Sequence, residues 1–233
     1  VSRCRLRSDD NVFVIPHGHY LDAYRPTALD RPTARAALGL PRDGTVLLFL
    51  GNLREHKGLG PLLDAFGTLD RPDVHLVIAG RPFSPDIGER LAARARAMAR
   101  VDVRPGFVPA DQVAVYMRAA NAVVCPFTSS LTSGSVVLAM SFARACIAPR
   151  LGCIPDTLAP DGGVVYEPDG PAALAAALRA AVDRTSELDA MGARNRATVA
   201  RRDWSRIAEA TLDVYRRCLT ARRPRSGTAS RTA

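Results

Sequence analysis

Residues 45–58 read Thr45-Val46-Leu47-Leu48-Phe49-Leu50-Gly51-Asn52-Leu53-Arg54-Glu55-His56-Lys57-Gly58. A run of apolar and β-branched residues over 45–50 predicts a strand buried on both faces. Gly51 lets the backbone leave that strand, and Gly58 precedes Leu59, Leu62, Leu63, Phe66 and Leu69, which recur at helical spacing. Between the glycines stand Arg54 and Lys57. A guanidinium can grip a phosphate through two parallel N–H groups, an ammonium adds a compact charge, and a helix N-terminus beyond them favours an anion. Solvated surface charges are the ordinary alternative for such a loop. Lys57, however, is the one lysine in a chain with 32 basic residues, so its presence here argues for use.

The same alternation continues outward. Val12–Ile15, closed by Pro16 and Gly18, reads as a strand, and 33–38 as a short helix. Downstream, strands are expected at 74–79, 101–103, 122–126, 146–148 and 163–166, and helices at 59–69, 87–98, 111–119, 134–142, 171–182, 187–200 and 204–219. Pro171 suits the first turn of its Ala-rich helix. Short strands alternating with helices imply one α/β domain, a doubly wound parallel sheet of Rossmann-like type, with ligands bound at the carboxyl ends of the strands.

Composition sets limits. Of 233 residues, 47% are hydrophobic and 24% charged, which excludes wholesale disorder. No apolar run approaches the roughly 18–20 residues of a membrane span, and the arginines before Asp9 precede no signal-peptide core; a soluble, cytoplasmic chain is expected. The net charge of +9 suggests nucleic acid at first sight. Yet residues 1–8 and 216–233 hold nine arginines and no acid, and what remains is balanced. The expectation is therefore no specific nucleic-acid partner, with loose contact of the basic tail to RNA or to anionic lipid at the inner face of the membrane.

Cys4, Cys125, Cys146, Cys153 and Cys218 show no paired spacing, so neither a disulfide framework nor a zinc site is expected, and Cys125 and Cys146 read as small core residues. His17-Gly18-His19 lacks acidic or thiol companions. No Asp-x-Asp, P-loop, Gly-x-Gly-x-x-Gly or Gly-x-Ser-x-Gly is present. The expected metal set is none, and Glu55 and Glu167 read as isolated surface acids.

The stretch 51–59, followed by Val74-His-Leu-Val-Ile-Ala-Gly80, Gly106-Phe107-Val108-Pro109, Ala119-Ala-Asn-Ala-Val-Val-Cys-Pro126, Ser133-Gly134-Ser135 with its apolar helix, and the closing Trp204-Ser-Arg-Ile-Ala208, resembles the C-terminal half of the retaining GT-B glycosyltransferases of family four, glycosyl transferases group 1. The likeness runs from about Val12 to Leu219. It implies that Arg54 and Lys57 hold the diphosphate of a nucleotide-sugar donor and act as the catalytic cations. It further implies that Gly51 opens the donor loop, that Gly106, Phe107 and Val108 border the nucleobase, and that Ser133, Gly134 and Ser135 present a helix N-terminus to the sugar and phosphates. No cofactor is implied beyond the nucleotide-diphosphate sugar itself as donor substrate.

Two departures accompany the resemblance. Where the family usually carries two glutamates, this chain has Ser130 and Leu138; Ser130 remains a candidate for the sugar hydroxyls, whereas Leu138 cannot accept a bond from a ribose. The N-terminal acceptor half of the family is also not represented. The expected organisation is an arm over 1–11, a nucleotide-sugar-binding domain over 12–202, a return helix over 203–219 and a basic disordered tail over 220–233. The expected function is metal-independent, retaining glycosyl transfer to a glycan, lipid or small-molecule acceptor, completed by an N-terminal domain or companion subunit. A catalytically silent nucleotide-sugar-binding partner subunit is the alternative.

Overall fold

The computed structural model describes residues 12–24 and 29–221. The arm expected over 1–11 and the tail from 222 onward lie outside them. The described residues form two compact units, one within 19–201 and a second made of 12–18 and 202–221.

The larger unit holds six strands: β1 (Thr45–Leu50), β2 (Val74–Gly80), β3 (Val101–Pro105), β4 (Ala122–Val124), β5 (Ala145–Pro149) and β6 (Gly163–Tyr166). They are all parallel, in the order β3-β2-β1-β4-β5-β6. The connecting helices are α1 (Arg31–Ala37), α2 (Leu59–Gly67), α3 (Pro85–Ala95), α4 (Ala110–Ala119), α5 (Gly134–Ser141), α6 (Ile154–Thr157), α7 (Pro171–Asp183) and α8 (Leu188–Val199). The doubly wound sheet expected from the alternation is therefore present, with strand ends displaced by a residue or two and only α6 unforeseen.

Every residue of β1 is buried, because β1 is central. It pairs with β2 from Thr45↔Val74 to Leu50↔Ala79 and with β4 at Leu47↔Ala122 and Leu48↔Val123. Leu47, Phe49, Leu62, Phe66, Ile78, Met117 and Met140 form the heart of the core. Cys125 and Cys146 are buried in it, and burial pushes the Cys125 thiol up to about 12, so it behaves as the small hydrophobe the sequence suggested.

One buried cation anchors the start of β1. The Arg35 guanidinium donates to the carbonyls of Ala119, Arg42 and Gly44 and to Asn121 Oδ1, which also accepts the Val46 N–H at 2.8 Å. With its donors satisfied by fixed oxygens, Arg35 can be buried without a carboxylate.

In the smaller unit, α9 (Trp204–Ala221) is the expected last helix. Val12–Ile15 is not a strand, which corrects the reading of that stretch. A four-residue apolar run carries no periodicity to separate a strand from a loop, and Phe13 and Val14 are exposed. Here the Phe13 ring lies 5.6 Å from the Arg217 guanidinium instead, and the Trp204 indole meets His17 edge-on at 5.6 Å. Trp204, Leu212, Tyr215 and Leu219 are exposed. No described helix is long and apolar enough to cross a membrane.

The strand order reverses between β1 and β4. In an open α/β sheet the loops leaving the carboxyl ends at such a reversal part to opposite faces and leave a crevice.

Candidate functional site

A cleft of about 510 Å³ opens at that point. It is lined by the loop after β1 (Gly51, Asn52, Arg54, His56, Lys57), by Gly80 and Arg81 after β2, by Phe107 and Val108 after β3, and by Gly134, Ser135 and Leu138 of α5, with Tyr20 and Tyr24 closing one side. Loops distant in sequence meet there because each leaves the same edge of the sheet.

The cationic loop is held from both sides. Towards β2, the Leu53 N–H donates to the Arg81 carbonyl and the Phe83 N–H to the Leu53 carbonyl, each at 2.9 Å. Leu53 itself is fully buried. Towards β4, the Thr128 N–H donates to the His56 carbonyl at 3.0 Å. Gly58 has φ +68°, and a Cβ there would sit 1.9 Å from the Pro126 carbonyl oxygen, so the position takes glycine for both conformation and space. Residues 55–57 form one 3-10 turn between these anchors. The turn sends Arg54 and Lys57 into the cleft.

Their environments differ. Arg54 is exposed, with its guanidinium carbon 4.9 Å from the Phe83 ring centroid. Lys57 is half-buried, its Nζ 4.1 Å from the Phe127 ring centroid. Burial lowers the Lys57 pKa, and the neighbouring Arg54 charge acts the same way, against an opposing influence from Cys125. Glu55, between them in sequence, turns away to pair with Arg90. None of the residues lining the cleft is a carboxylate, and among the described residues no ion pair reaches Arg54, Lys57 or Arg81. Concentrated positive charge without a counter-ion is what a polyanionic ligand requires.

The N-terminus of α5 adds to the same field. Ser133 Oγ accepts the Val136 N–H at 3.2 Å, so Ser133 caps the helix and leaves the Gly134 and Ser135 N–H groups to the cleft. Those orphan donors and the helix dipole favour an anion. A Cβ on Gly134 would stand 3.2 Å from the Tyr20 hydroxyl, which sets the width at that side.

Of the residues singled out from sequence, the structure brings together Gly51, Arg54, Lys57, Phe107, Val108, Gly134 and Ser135. Phe107 is 76% exposed, which disposes of a core role. Gly106 lies just outside, its N–H on the Gly80 carbonyl at 2.9 Å. Ser133 serves as the cap. Ser130 does not line the cleft; its hydroxyl donates to the Thr132 carbonyl at 3.0 Å. Arg81, Asn52, His56, Tyr20 and Tyr24 were not foreseen. Arg81 had a signal: like the loop after β1, it follows a strand that ends in glycine. Glu167 pairs with Arg150 at the surface, in keeping with its reading as an isolated acid. No group of metal-ligating side chains occurs among the described residues.

The model of the family described as glycosyl transferases group 1 matches residues 44–184, which includes the whole cationic loop and the cap of α5. The chain belongs to this family. A D-inositol 3-phosphate glycosyltransferase of Kineococcus radiotolerans is 31% identical over 236 residues, covering 93% of this chain and 54% of that protein. A GDP-mannose:glycolipid 4-beta-D-mannosyltransferase of Xanthomonas campestris pv. campestris is 28% identical over 207 residues, covering 86% and 54%. The chain thus spans about half the length of the curated relatives it matches.

Solved structures agree. Sucrose-phosphate synthase from Thermosynechococcus elongatus superposes with a TM-score of 0.74 at 26% identity, covering 89% of this chain and 52% of that one. The C-terminal domain of a group 1 glycosyl transferase from Francisella tularensis gives 0.64 at 19% identity, covering 77% of this chain and 95% of that domain. The fold is accordingly the Rossmann-like C-terminal half of a GT-B glycosyltransferase.

Proposed function

We propose that this chain is the donor domain of a glycosyltransferase and that its cleft binds a nucleotide-diphosphate sugar. The observation that carries the reading is the meeting of Arg54, Lys57 and Arg81 with the α5 N-terminus in a cleft lined by no carboxylate. In the transfer, the bond from the anomeric carbon to the β-phosphate oxygen breaks as the acceptor hydroxyl oxygen bonds to that carbon. The departing diphosphate gains negative charge, and the three cations stabilise it more than they stabilise the intact donor. That electrostatic role makes the reaction metal-independent.

The resemblance to the retaining family implies attack from the face of the leaving group, with the acceptor proton passing to the departing phosphate oxygen. The acceptor, a glycan, lipid or small molecule, would be held by an N-terminal domain or companion subunit, and peripheral contact with a membrane through the basic tail belongs to the same proposal.

A second reading has its own observation. Leu138 lines the cleft where the resemblance places a glutamate, and Ser130 stands outside it, as in a binding module relieved of catalysis. Expression together with the coding sequence that precedes Val1 separates the two. Release of nucleoside diphosphate from a UDP- or GDP-sugar, lost in Arg54→Ala, supports the enzyme. Donor binding without release or transfer supports the silent partner subunit.

A further inference from the structure

A second concentration of positive charge lies at the opposite edge of the sheet. A cavity of about 240 Å³ is bounded by Asp30 and Arg31 at the start of α1, Arg118 near the end of α4, Ala143 and Arg144 before β5, and Asp189 at the start of α8. These elements meet at the amino ends of β4 and β5, so the cavity is separate from the donor cleft.

The two carboxylates are already engaged. Both oxygens of Asp189 accept from the Arg31 guanidinium. Asp30 Oδ1 accepts the Thr33 N–H as the cap of α1, at 2.8 Å. Arg144 donates to the carbonyls of Phe142 and Ala120, at 2.9 and 2.8 Å, which places its charge without neutralising it. Arg118 makes no hydrogen bond or ion pair with any described residue. The Nε atoms of Arg31 and Arg118 are buried and have no hydrogen-bond partner. A buried N–H without an acceptor is costly, and two of them beside one cavity are unusual in a native fold. Burial, with the charges of Arg31 and Arg118 contributing and that of Asp189 opposing, holds the Arg144 pKa down to about 10, as expected where guanidinium groups crowd.

We propose that this cavity is a binding site for a phosphate-class anion, held by Arg31, Arg118 and Arg144. Three guanidinium groups against the two carboxylates of Asp30 and Asp189 leave a net positive charge, and the planar forks with their unused Nε–H groups match the several acceptor oxygens of a phosphate. The site acts independently of the donor cleft and does not rest on the function proposed for it.

The test is equilibrium dialysis of the full chain against labelled inorganic phosphate, and separately glycerol phosphate, with ionic strength held constant by sodium chloride. The variants are Arg118→Gln and the double variant Arg54→Ala/Lys57→Ala. The Arg118 side chain bonds to none of the described residues, so its replacement removes no described side-chain bond, and thermal melts of the variants check that the fold is kept; Arg118→Lys, which keeps the charge but not the Nε–H, is the companion. The parent should take up phosphate saturably, the double variant should retain one equivalent, and Arg118→Gln should bind that equivalent about tenfold or more weakly, the scale of one charge-assisted hydrogen bond, with Arg118→Lys in between. Uptake of the ester alone would assign the site to a phosphate monoester. Equal uptake by parent and Arg118→Gln, or uptake abolished by the Arg54→Ala/Lys57→Ala change, would overturn the proposal.

Discussion

Lys57 Nζ lies 4.1 Å from the centroid of the Phe127 ring and has no carboxylate partner among the described residues. The aromatic face offers partial compensation for a half-buried ammonium, yet the Lys57 pKa still lies below its ordinary 10.5. The charge is therefore held at a cost to the folded chain. Between the lowered value and 10.5 the unfolded chain carries more protons than the folded one, so stability rises with pH through that window. Binding of a diphosphate runs the other way, because it needs the ammonium. Affinity should fall as pH rises through the same window, while the thermal midpoint, followed in the same buffers, gains from this group. Affinity independent of pH up to 10.5 would remove Lys57 from the ligand contact.

Replacing the charge separates the two effects at fixed pH. Lys57→Met keeps the stem over Phe127 and deletes the ammonium, so it should raise the thermal midpoint and weaken diphosphate binding by about 1.5–3 kcal/mol, the worth of a hydrogen bond to a charged group. Arg54→Ala should cost a similar amount of binding with little change in stability, since Arg54 is exposed. Calorimetry and thermal melts on the two variants check both halves.

The geometry of the loop should be as sensitive as its charges. Gly58→Ala forces a Cβ to within 1.9 Å of the Pro126 carbonyl oxygen at a φ of +68°. Strain of this kind costs about 1–3 kcal/mol, and any relief moves the turn that carries Lys57. Chemical denaturation should show the loss of stability, with diphosphate affinity falling alongside it. A variant with parent-like stability and affinity would mean that the loop is not anchored to the β4 side as described.

Residues 45–58 carried most of the fold because their signals agree: an uninterrupted apolar run, a glycine exit, then helical spacing. The positions of Arg54 and Lys57 were legible for the same reason, following a strand whose end the pattern marks, whereas Gly134 and Ser135 came from the resemblance. Val12–Ile15 misled because four apolar residues carry no periodicity and need not be core; none of them is buried, and Phe13 and Val14 are exposed. Arg81 follows a strand-ending glycine, a weak signal in a chain where arginine is common throughout, and a third cation acquires its full meaning when β2 is laid beside β1. Ser130 was chosen by analogy of position. The chain in fact directs its hydroxyl onto the Thr132 carbonyl.

Leu138 lines the cleft without offering an acceptor. Leu138→Glu supplies one where the resemblance places a ribose contact. It should improve the affinity for a nucleoside diphosphate relative to inorganic pyrophosphate by about tenfold, again the scale of one charge-assisted hydrogen bond. Competition between the two ligands measures the ratio. An unchanged ratio would show that the ribose does not reach this side of α5.

With Arg54, Lys57 and Arg81 supplying the positive charge, binding of nucleoside diphosphate should survive excess EDTA unchanged. Loss of binding on chelation, with recovery on addition of Mg²⁺ or Mn²⁺, would transfer the electrostatic role from these side chains to a metal ion.

The central claim is that three cations from two adjacent loops act on one diphosphate, and Arg81 tests it most directly because it entered the site through the fold alone. The measurement is calorimetric titration of the parent chain and of Arg81→Ala with UDP and GDP. The account predicts that the parent binds one equivalent of at least one of them and that Arg81→Ala binds it about ten- to a hundredfold more weakly, as for loss of one charge-assisted contact. Parent and variant binding with equal affinity, or a parent that takes up neither nucleotide, would contradict it.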